Sequence, residues 1–293
     1  MELRLLRYFW TVAEEKNISR AAKLLSITQP TLSRQIKDLE EQVGLPLFHR
    51  EKNSLELTED GYFLKERAEE ILALNDQLAL ALSDKKSQQL TGSFSIGCVE
   101  ADNSDTLSLM LEELVSDYPQ VHFKLVSGTS DDMLERLDKG LLDLAILLEP
   151  ISTDRYESLV LPREERWGLL VSTESILSQK KGIEPRDLAG LPLLCSSRLE
   201  VQELLAHWSG LAFENLSIVG TFNLIFNVFA LVENQVGSAL TVEGATLYHG
   251  SSQLRFVPLK PEVKTKCVLV WKKRLQTPVV KELLSRFKHA FQA

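Results

Sequence analysis

Three cysteines in 293 residues, Cys98, Cys195 and Cys267, are too few and too widely separated for a disulfide framework. No histidine stands close to any of them, so metal-ligand spacing is missing as well. There is no apolar run near the 18 or so residues of a membrane span. The first ten residues, MELRLLRYFW, carry Arg4 and Arg7 inside their apolar stretch and lack a small-residue cleavage site, so they are read as folded protein and not as a signal peptide. A Gly-rich phosphate loop, an HExxH pair and a nucleophile–base–orienter set are also missing. The expectation is therefore a non-enzyme with no cofactor and no metal, working in a reducing cytoplasm. A solute-binding or enzyme-like α/β protein would want one of those signatures.

Acid is missing locally too. Lys16, Arg20, Lys23, Arg34 and Lys37 fall in a stretch without a single Asp or Glu, although the whole chain is acidic at −8. Residues 1–65 hold ten basic and ten acidic side chains, so the remainder carries the deficit. That split disfavours a uniformly basic architectural DNA protein and leaves a few placed cations to do any nucleic-acid binding. With 44% apolar and 25% charged residues, the length suggests about two soluble globular domains.

What is present is concentrated in Ser19 to Gly44, SRAAKLLSITQPTLSRQIKDLEEQVG. Two short helices joined by a turn are expected, with Ser19 capping the first. Thr28 caps the second, Gln29 and Pro30 open it, and Gly44 stops it. Leu32, Ile36, Leu39 and Val43 recur at spacings of 4, 3 and 4 and form a buried stripe. Gln29, Thr31, Ser33, Arg34 and Lys37 lie off it. These amide, hydroxyl and cationic groups suit base edges and phosphates. Spacing alone leaves open a helix pair with a merely solvated polar face.

After Gly44, short strands around Phe48 and Leu55-Glu56-Leu57 flank a wing tip in which Arg50 and Lys52 would meet phosphate, beside Asn53. Thr58 caps a long helix over residues 59–85. Within it Leu64, Ala68, Ile71, Asn75, Leu78 and Leu82 step 4, 3, 4, 3, 4, a coiled-coil seam for dimerisation whose one polar member would fix register. From Ser93 strands and helices alternate, which predicts βαβ units and a parallel sheet. Predicted strands are 94–97, 121–126, 144–148, 159–162, 167–171, 193–194, 217–219, 239–242 and 263–271. Predicted helices are 106–118, 130–139, 199–208, 222–232 and 278–291, the last capped by Thr277.

Ala21-Ala22, the run Thr28-Gln29-Pro30-Thr31-Leu32-Ser33-Arg34-Gln35-Ile36, Leu39-Glu40 and Gly44-Leu45-Pro46-Leu47-Phe48 resemble the LysR-type transcriptional regulators. Weaker landmarks continue the likeness over the whole chain: Gly97, Tyr118-Pro119, Gly140, Asp143-Leu144-Ala145-Ile146 and Leu188-Ala189-Gly190-Leu191-Pro192-Leu193. The resemblance implies an α/β chain with a winged helix-turn-helix N-terminal domain (1–57), a linker helix that pairs two copies (58–89) and a bilobed, periplasmic-binding-protein-like effector domain (90–293). Lobe one would be 90–162 plus 267–293, and lobe two 163–266. The implied partners are double-stranded promoter DNA, further copies of the chain up to a homotetramer, a small-molecule effector and RNA polymerase. One branch of that family senses peroxide through a cysteine pair. Cys195 sits in a comparable region without a close second cysteine, so a buried structural thiol is expected.

Two lobes bind ligands at strand C-ends and helix N-termini, which makes Asn103, Thr129, Ser130, Ser196, Ser197, Arg198, Thr221 and Asn223 the cleft candidates. Hydroxyls and amides at those places also serve as plain caps. Relatives often carry serine or threonine where this chain has Ala101, flanked by Glu100 and Asp102. Two acids there would repel a carboxylate, so either the ligand is cationic or amphoteric or the acids face solvent; solvent is the expectation. Arg198 is the one nearby cation able to clamp an anion, with a surface role as the alternative.

Overall fold

The computed structural model describes residues 2–50, 55–84, 90–101, 103–247 and 249–291, which divide into two compact units at Lys85/Lys86. In the first, α1 (Leu3–Glu15) buries Leu5, Leu6, Phe9, Val12 and Ala13 along one helical face and ends at Lys16, held left-handed at φ 47°. Helix α2 (Ile18–Leu24) is capped by Asn17, whose side chain accepts the Arg20 N–H at 3.0 Å. The expected cap, Ser19, lies inside the first turn instead. Asn17 has the extended backbone a cap requires, and its amide oxygen reaches the free N–H first.

Helix α3 (Gln29–Val43) has the expected bounds: Thr28 accepts the Thr31 N–H at 3.4 Å, and Gly44 at φ 76° ends it. Leu32, Ile36 and Leu39 are buried. Val43, expected on the same stripe, is 37% exposed and belongs to the helix end. Glu40 accepts the amides of Leu47 and Phe48 at 2.8 and 3.2 Å and so fixes the exit into β1 (Phe48–Arg50). That strand pairs antiparallel with β2 (Leu55–Leu57), Phe48 opposite Leu57. The expected wing tip, with Lys52 and Asn53, lies outside the described residues, as does the Arg50 side chain. Thr58 accepts the Gly61 N–H at 3.0 Å and donates to the Pro46 carbonyl at 2.8 Å, which caps α4 (Glu59–Asp84).

Helix α4 packs on α1, with Ala68 and Leu72 buried in the same cluster as Phe9 and Leu39. Lys65 pairs with Glu14 at 2.5 Å and Arg7 with Asp76 at 2.6 Å. The expected seam is thus split. Ala68 is fully covered by its own unit and is corrected from a pairing residue to a core residue, and Leu64 packs against that core. Ile71, Leu74 and Leu78 remain 38%, 40% and 59% exposed. Asn75 is half-buried and donates to Asp76 at 3.3 Å; the side chain of Leu82 lies outside the described ones.

The second unit opens with β3 (Gly92–Cys98), α5 (Asn103–Asp117), β4 (Val121–Ser127), α6 (Ser130–Asp138) and β5 (Leu144–Leu148), in which β3 lies parallel between β4 and β5. It continues through β6 (Glu157–Ser172), β7 (Leu193–Ser196), α7 (Leu199–Ser209), β8 (Ile218–Phe222), α8 (Val228–Glu233), β9 (Ser238–Val242), β10 (Leu254–Pro258), β11 (Lys264–Trp271) and α9 (Pro278–Phe291). Strand β7 lies parallel between β8 and β9, the same pattern as in the first half. Antiparallel strands join the two sets. Strand β11 pairs with β5 and with residues 157–166 of β6, whereas residues 167–172 of β6 pair with β9 and β10. Helix α9, with Thr277 at its start, buries Val279, Val280, Leu283, Leu284 and Phe287 and returns to the first lobe beside α5 and β3.

Three expectations are corrected here. The sheet is mixed, not parallel, because β11 pairs antiparallel with β5 and β6, and β6 pairs antiparallel with β9 and β10. The strands expected at 159–162 and 167–171 are one strand. Its central charges are met by neighbours: Glu164 pairs with Lys264 at 3.2 Å, Arg166 holds Glu243 through two bonds of 2.8 Å, and buried Glu165 accepts the Gly244 N–H at 3.1 Å. The helix expected from Phe222 starts only at Val228, since Phe222 ends β8. Strand β10 was not foreseen. Both expected lobe boundaries fall inside strands, at 162/163 in β6 and at 266/267 in β11, where the register shifts between Lys266 and Val268.

A Cβ at Gly61 would overlap the Leu47 carbonyl oxygen. Gly61→Ala is predicted to cost the first unit about 3 kcal/mol by overpacking, read from urea unfolding, while exposed Glu66→Ala stays within about 0.5 kcal/mol. Equal midpoints for the two variants would mean that α4 can back away from Leu47 freely.

Candidate nucleic-acid interface and ligand cleft

Burial of Leu32, Ile36 and Leu39 fixes the rotation of α3 and so decides which residues it presents outward. Gln29, Pro30, Thr31, Arg34 and Lys37 are exposed and Ser33 is half-buried. Thr28 and Thr31 share a hydroxyl–hydroxyl bond of 2.8 Å at the helix start, and Lys37 faces Glu41 at 3.6 Å. Arg34 makes no ion pair among the described residues. Ser19 is exposed on α2, and Arg20 is tied to Glu15 at 3.0 Å. The first turns of α3 therefore combine hydroxyls, an amide and a guanidinium without an ion pair among the described residues. That set can meet phosphate at the helix end and base edges along its first turns.

In the second unit a cleft of about 540 Å³, counted with its open mouth, lies between the two lobes. Lobe one contributes Val99, Glu100, Gly128, Thr129, Ser130 and Leu148; lobe two contributes Ser196, Arg198, Phe222, Asn223, Ile225 and Leu240, among others. Trp167, Thr241, Val242 and Ala245 complete its wall and were not anticipated. They sit on or just after strands β6 and β9, where a buried apolar run looks the same whether it faces core or cleft.

The expected cleft residues fare differently. Thr129 lines the cleft while capping α6: it accepts the Asp132 N–H at 3.2 Å and donates to the Asp132 carboxylate at 2.7 Å. Ser130 is buried and both donates to the Leu148 carbonyl (3.3 Å) and accepts the Leu148 N–H (3.1 Å). Ser196 accepts the Arg198 N–H at 3.3 Å, and Asn223 accepts the Leu224 N–H at 2.9 Å. Ser197 and Thr221 are exposed and do not line the cleft, because Thr221 is in β8 and not at a helix start. Asp102 and the Asn103 side chain lie outside the described residues.

Two charged groups overturn expectations. Glu100 does not face solvent: it lines the cleft, and Oε2 accepts the Ile225 N–H of the other lobe at 2.7 Å. Arg198 is neither a free clamp nor a surface residue. Its side chain is 7% exposed, with Nε on Asp131 at 3.1 Å, Nη2 on the Pro150 carbonyl at 3.1 Å and Glu200 at 3.6 Å. It is a strut between the lobes. Beside the cleft, Glu100, Ala101, Phe226, Phe229 and His249 line an adjoining pocket, where His249 stacks on Phe229 at 3.8 Å.

The three cysteines are buried thiols with no disulfide among them. Burial pushes the Cys98 and Cys195 thiols up to about 12, which leaves them protonated and unreactive at neutral pH.

An outward-facing polar helix on one compact unit and an interlobe cleft on the other define a helix-turn-helix regulator class. Residues 3–62 match the "Bacterial regulatory helix-turn-helix protein, lysR family" model and residues 87–292 the "LysR substrate binding domain" model. The chain belongs to the LysR family of bacterial regulators. It is similar to the HTH-type transcriptional regulator BudR of Raoultella terrigena, 29% identical over 98% of this chain and 100% of that protein. A probable RuBisCO transcriptional regulator of Phaeodactylum tricornutum is 30% identical over 64% of this chain, and the match spans 61% of that relative's length. Among solved structures, the full-length CbnR complex with target DNA shares the fold with a TM-score of 0.75 at 22% identity, covering 99% of this chain and 100% of that one.

Arg198→Ala leaves the Pro150 carbonyl without its donor and Asp131 without its partner. Because Asp131 is half in water, the loss is held to about 2 kcal/mol, or roughly 4–8 °C in the melting of the second unit by calorimetry. Arg198→Lys is expected to recover only part of it, since an ammonium cannot reproduce the fork. An unshifted transition in both variants would remove the strut role.

Proposed function

We propose that the protein is a sequence-specific DNA-binding transcription regulator of the cytoplasm, acting as a homo-oligomer and tuned by a small molecule in the interlobe cleft. The observation that carries this reading is the outward face of α3, rich in hydrogen-bonding groups and held by a buried stripe, in one chain with a polar-rimmed cleft. Gln29, Thr31, Ser33 and Arg34 read bases, with Ser19, Thr28, Pro30 and Lys37 at the backbone and Arg50, Lys52 and Asn53 on the wing. The exposed Ile71, Leu74 and Leu78 face of α4 pairs two copies, with Asn75 beside it and Leu82 further along the helix. Tetramer assembly and contact with RNA polymerase extend the same reading. Among the described residues no helix is long and apolar enough to cross a membrane.

A small molecule that binds the two lobe arrangements unequally shifts the population of DNA-bound forms. The Arg198 and Glu100 contacts across the cleft are the points at which such a shift would register. The test is a footprint of the full chain on the intergenic DNA beside its own gene, at two salt concentrations and against scrambled competitor. Two helically phased half-sites that survive the competitor are expected. Uniform protection that fades with modest salt would instead mean phosphate binding without base readout.

A further inference from the structure

The charge of the ligand is decided by the side chains around the cleft. Among the described residues, Arg198 and Glu100 are the charged ones that line it. The guanidinium is held through Nε by Asp131 and through Nη2 by the Pro150 carbonyl, with Glu200 at 3.6 Å, so two carboxylates already share its charge and an incoming anion would meet no net positive charge. The Ser130 hydroxyl donates to Leu148 and that of Thr129 to Asp132, whereas the buried Trp167 Nε1–H has no partner among the described residues and is a donor left for a neutral acceptor on the ligand. Glu100 stands differently. It lines both the cleft and the adjoining pocket, and only Oε2 is engaged, by the Ile225 N–H; Oε1 has no protein donor among the described residues.

Aromatic side chains line the same two spaces as that carboxylate, Trp167 and Phe222 the cleft and Phe226 and Phe229 the adjoining pocket. A cavity lined by a carboxylate and aromatic side chains suits a positively charged head and disfavours a negative one. His249 in that pocket faces Glu233 at 3.7 Å. We propose that the cleft selects a small organic cation, an ammonium-bearing molecule, with Glu100 as its counter-ion. This rests on the effector reading of the cleft and adds the chemical class to it.

The experiment is calorimetric titration of the full chain with n-butylammonium, butyramide and butyrate, which share a short apolar body and differ in head group, at fixed ionic strength. Butylammonium is expected to bind saturably and at least tenfold more tightly than butyrate. Glu100→Gln should weaken it tenfold or more with unchanged circular dichroism, and Glu100→Asp should keep the preference for the cation. Butyrate binding as tightly as butylammonium, no saturable butylammonium binding, or equal butylammonium affinity in Glu100→Gln would overturn the assignment. An Ala245→Trp variant, which fills the wall shared by cleft and pocket, separates the two levels. If it abolishes binding of a preferred anion, the cleft stands as the ligand site and only the charge assignment falls. If every probe binds it unchanged, the cleft reading falls too.

Discussion

The rotation of α3 about its own axis is the constraint on which recognition depends. Leu32, Ile36 and Leu39 enter the core beside Phe9 and leave one orientation of the helix, so Gln29, Thr31 and Arg34 must point outward. The caps then set its length. Thr28 begins it, Gly44 ends it, and Glu40 reaches past the end to hold the amides of Leu47 and Phe48, so that the wing strands start from a fixed place. On the proposed reading α3 has to be rigid before its contacts can discriminate between bases, and its rigidity comes from apolar burial and not from its polar face.

The second unit solves a different problem, that of joining two lobes while leaving room between them. Strand β6 gives its first ten residues to one lobe's sheet and its last six to the other's, and β11 runs beside it. The connection is therefore made of continuous strand and of a buried apolar cluster with residues from both lobes, to which polar bonds across the cleft are added. Arg198 to Asp131 and Pro150, and Glu100 to the Ile225 amide, are bonds that a modest displacement could break. Each is worth on the order of 1 kcal/mol or a little more, the scale on which a ligand's differential affinity can shift a population.

Much of this was legible in the sequence where local chemistry decides. The bounds of α3, β5 and α9 follow from caps, a proline, a glycine and short-range spacing. What was hidden depends on distant partners. Arg198 and Asp131 are 67 residues apart, and nothing near Arg198 announces the pairing. Glu100 finds its amide donor 125 residues away, so its inward turn could not be read from two acids at a loop. The run Arg163-Glu164-Glu165-Arg166 looked like a crossover because its charges are met by Lys264, Glu243 and the Gly244 amide on other strands and turns. Ala68 kept perfect heptad spacing and yet packs on its own unit, since a seven-residue repeat does not say which helix covers it.

The central claim is that α3 reads bases. The most direct measurement is the ratio of affinities for a footprinted operator and a scrambled duplex of equal length, for the native chain and for a Gln29→Ala, Thr31→Ala, Arg34→Ala variant. The account predicts that the ratio collapses at least tenfold, on the scale of about 1–3 kcal/mol for each lost base contact, while affinity for the scrambled duplex changes far less. An unchanged ratio in a folded variant would contradict it and place sequence recognition elsewhere in the chain.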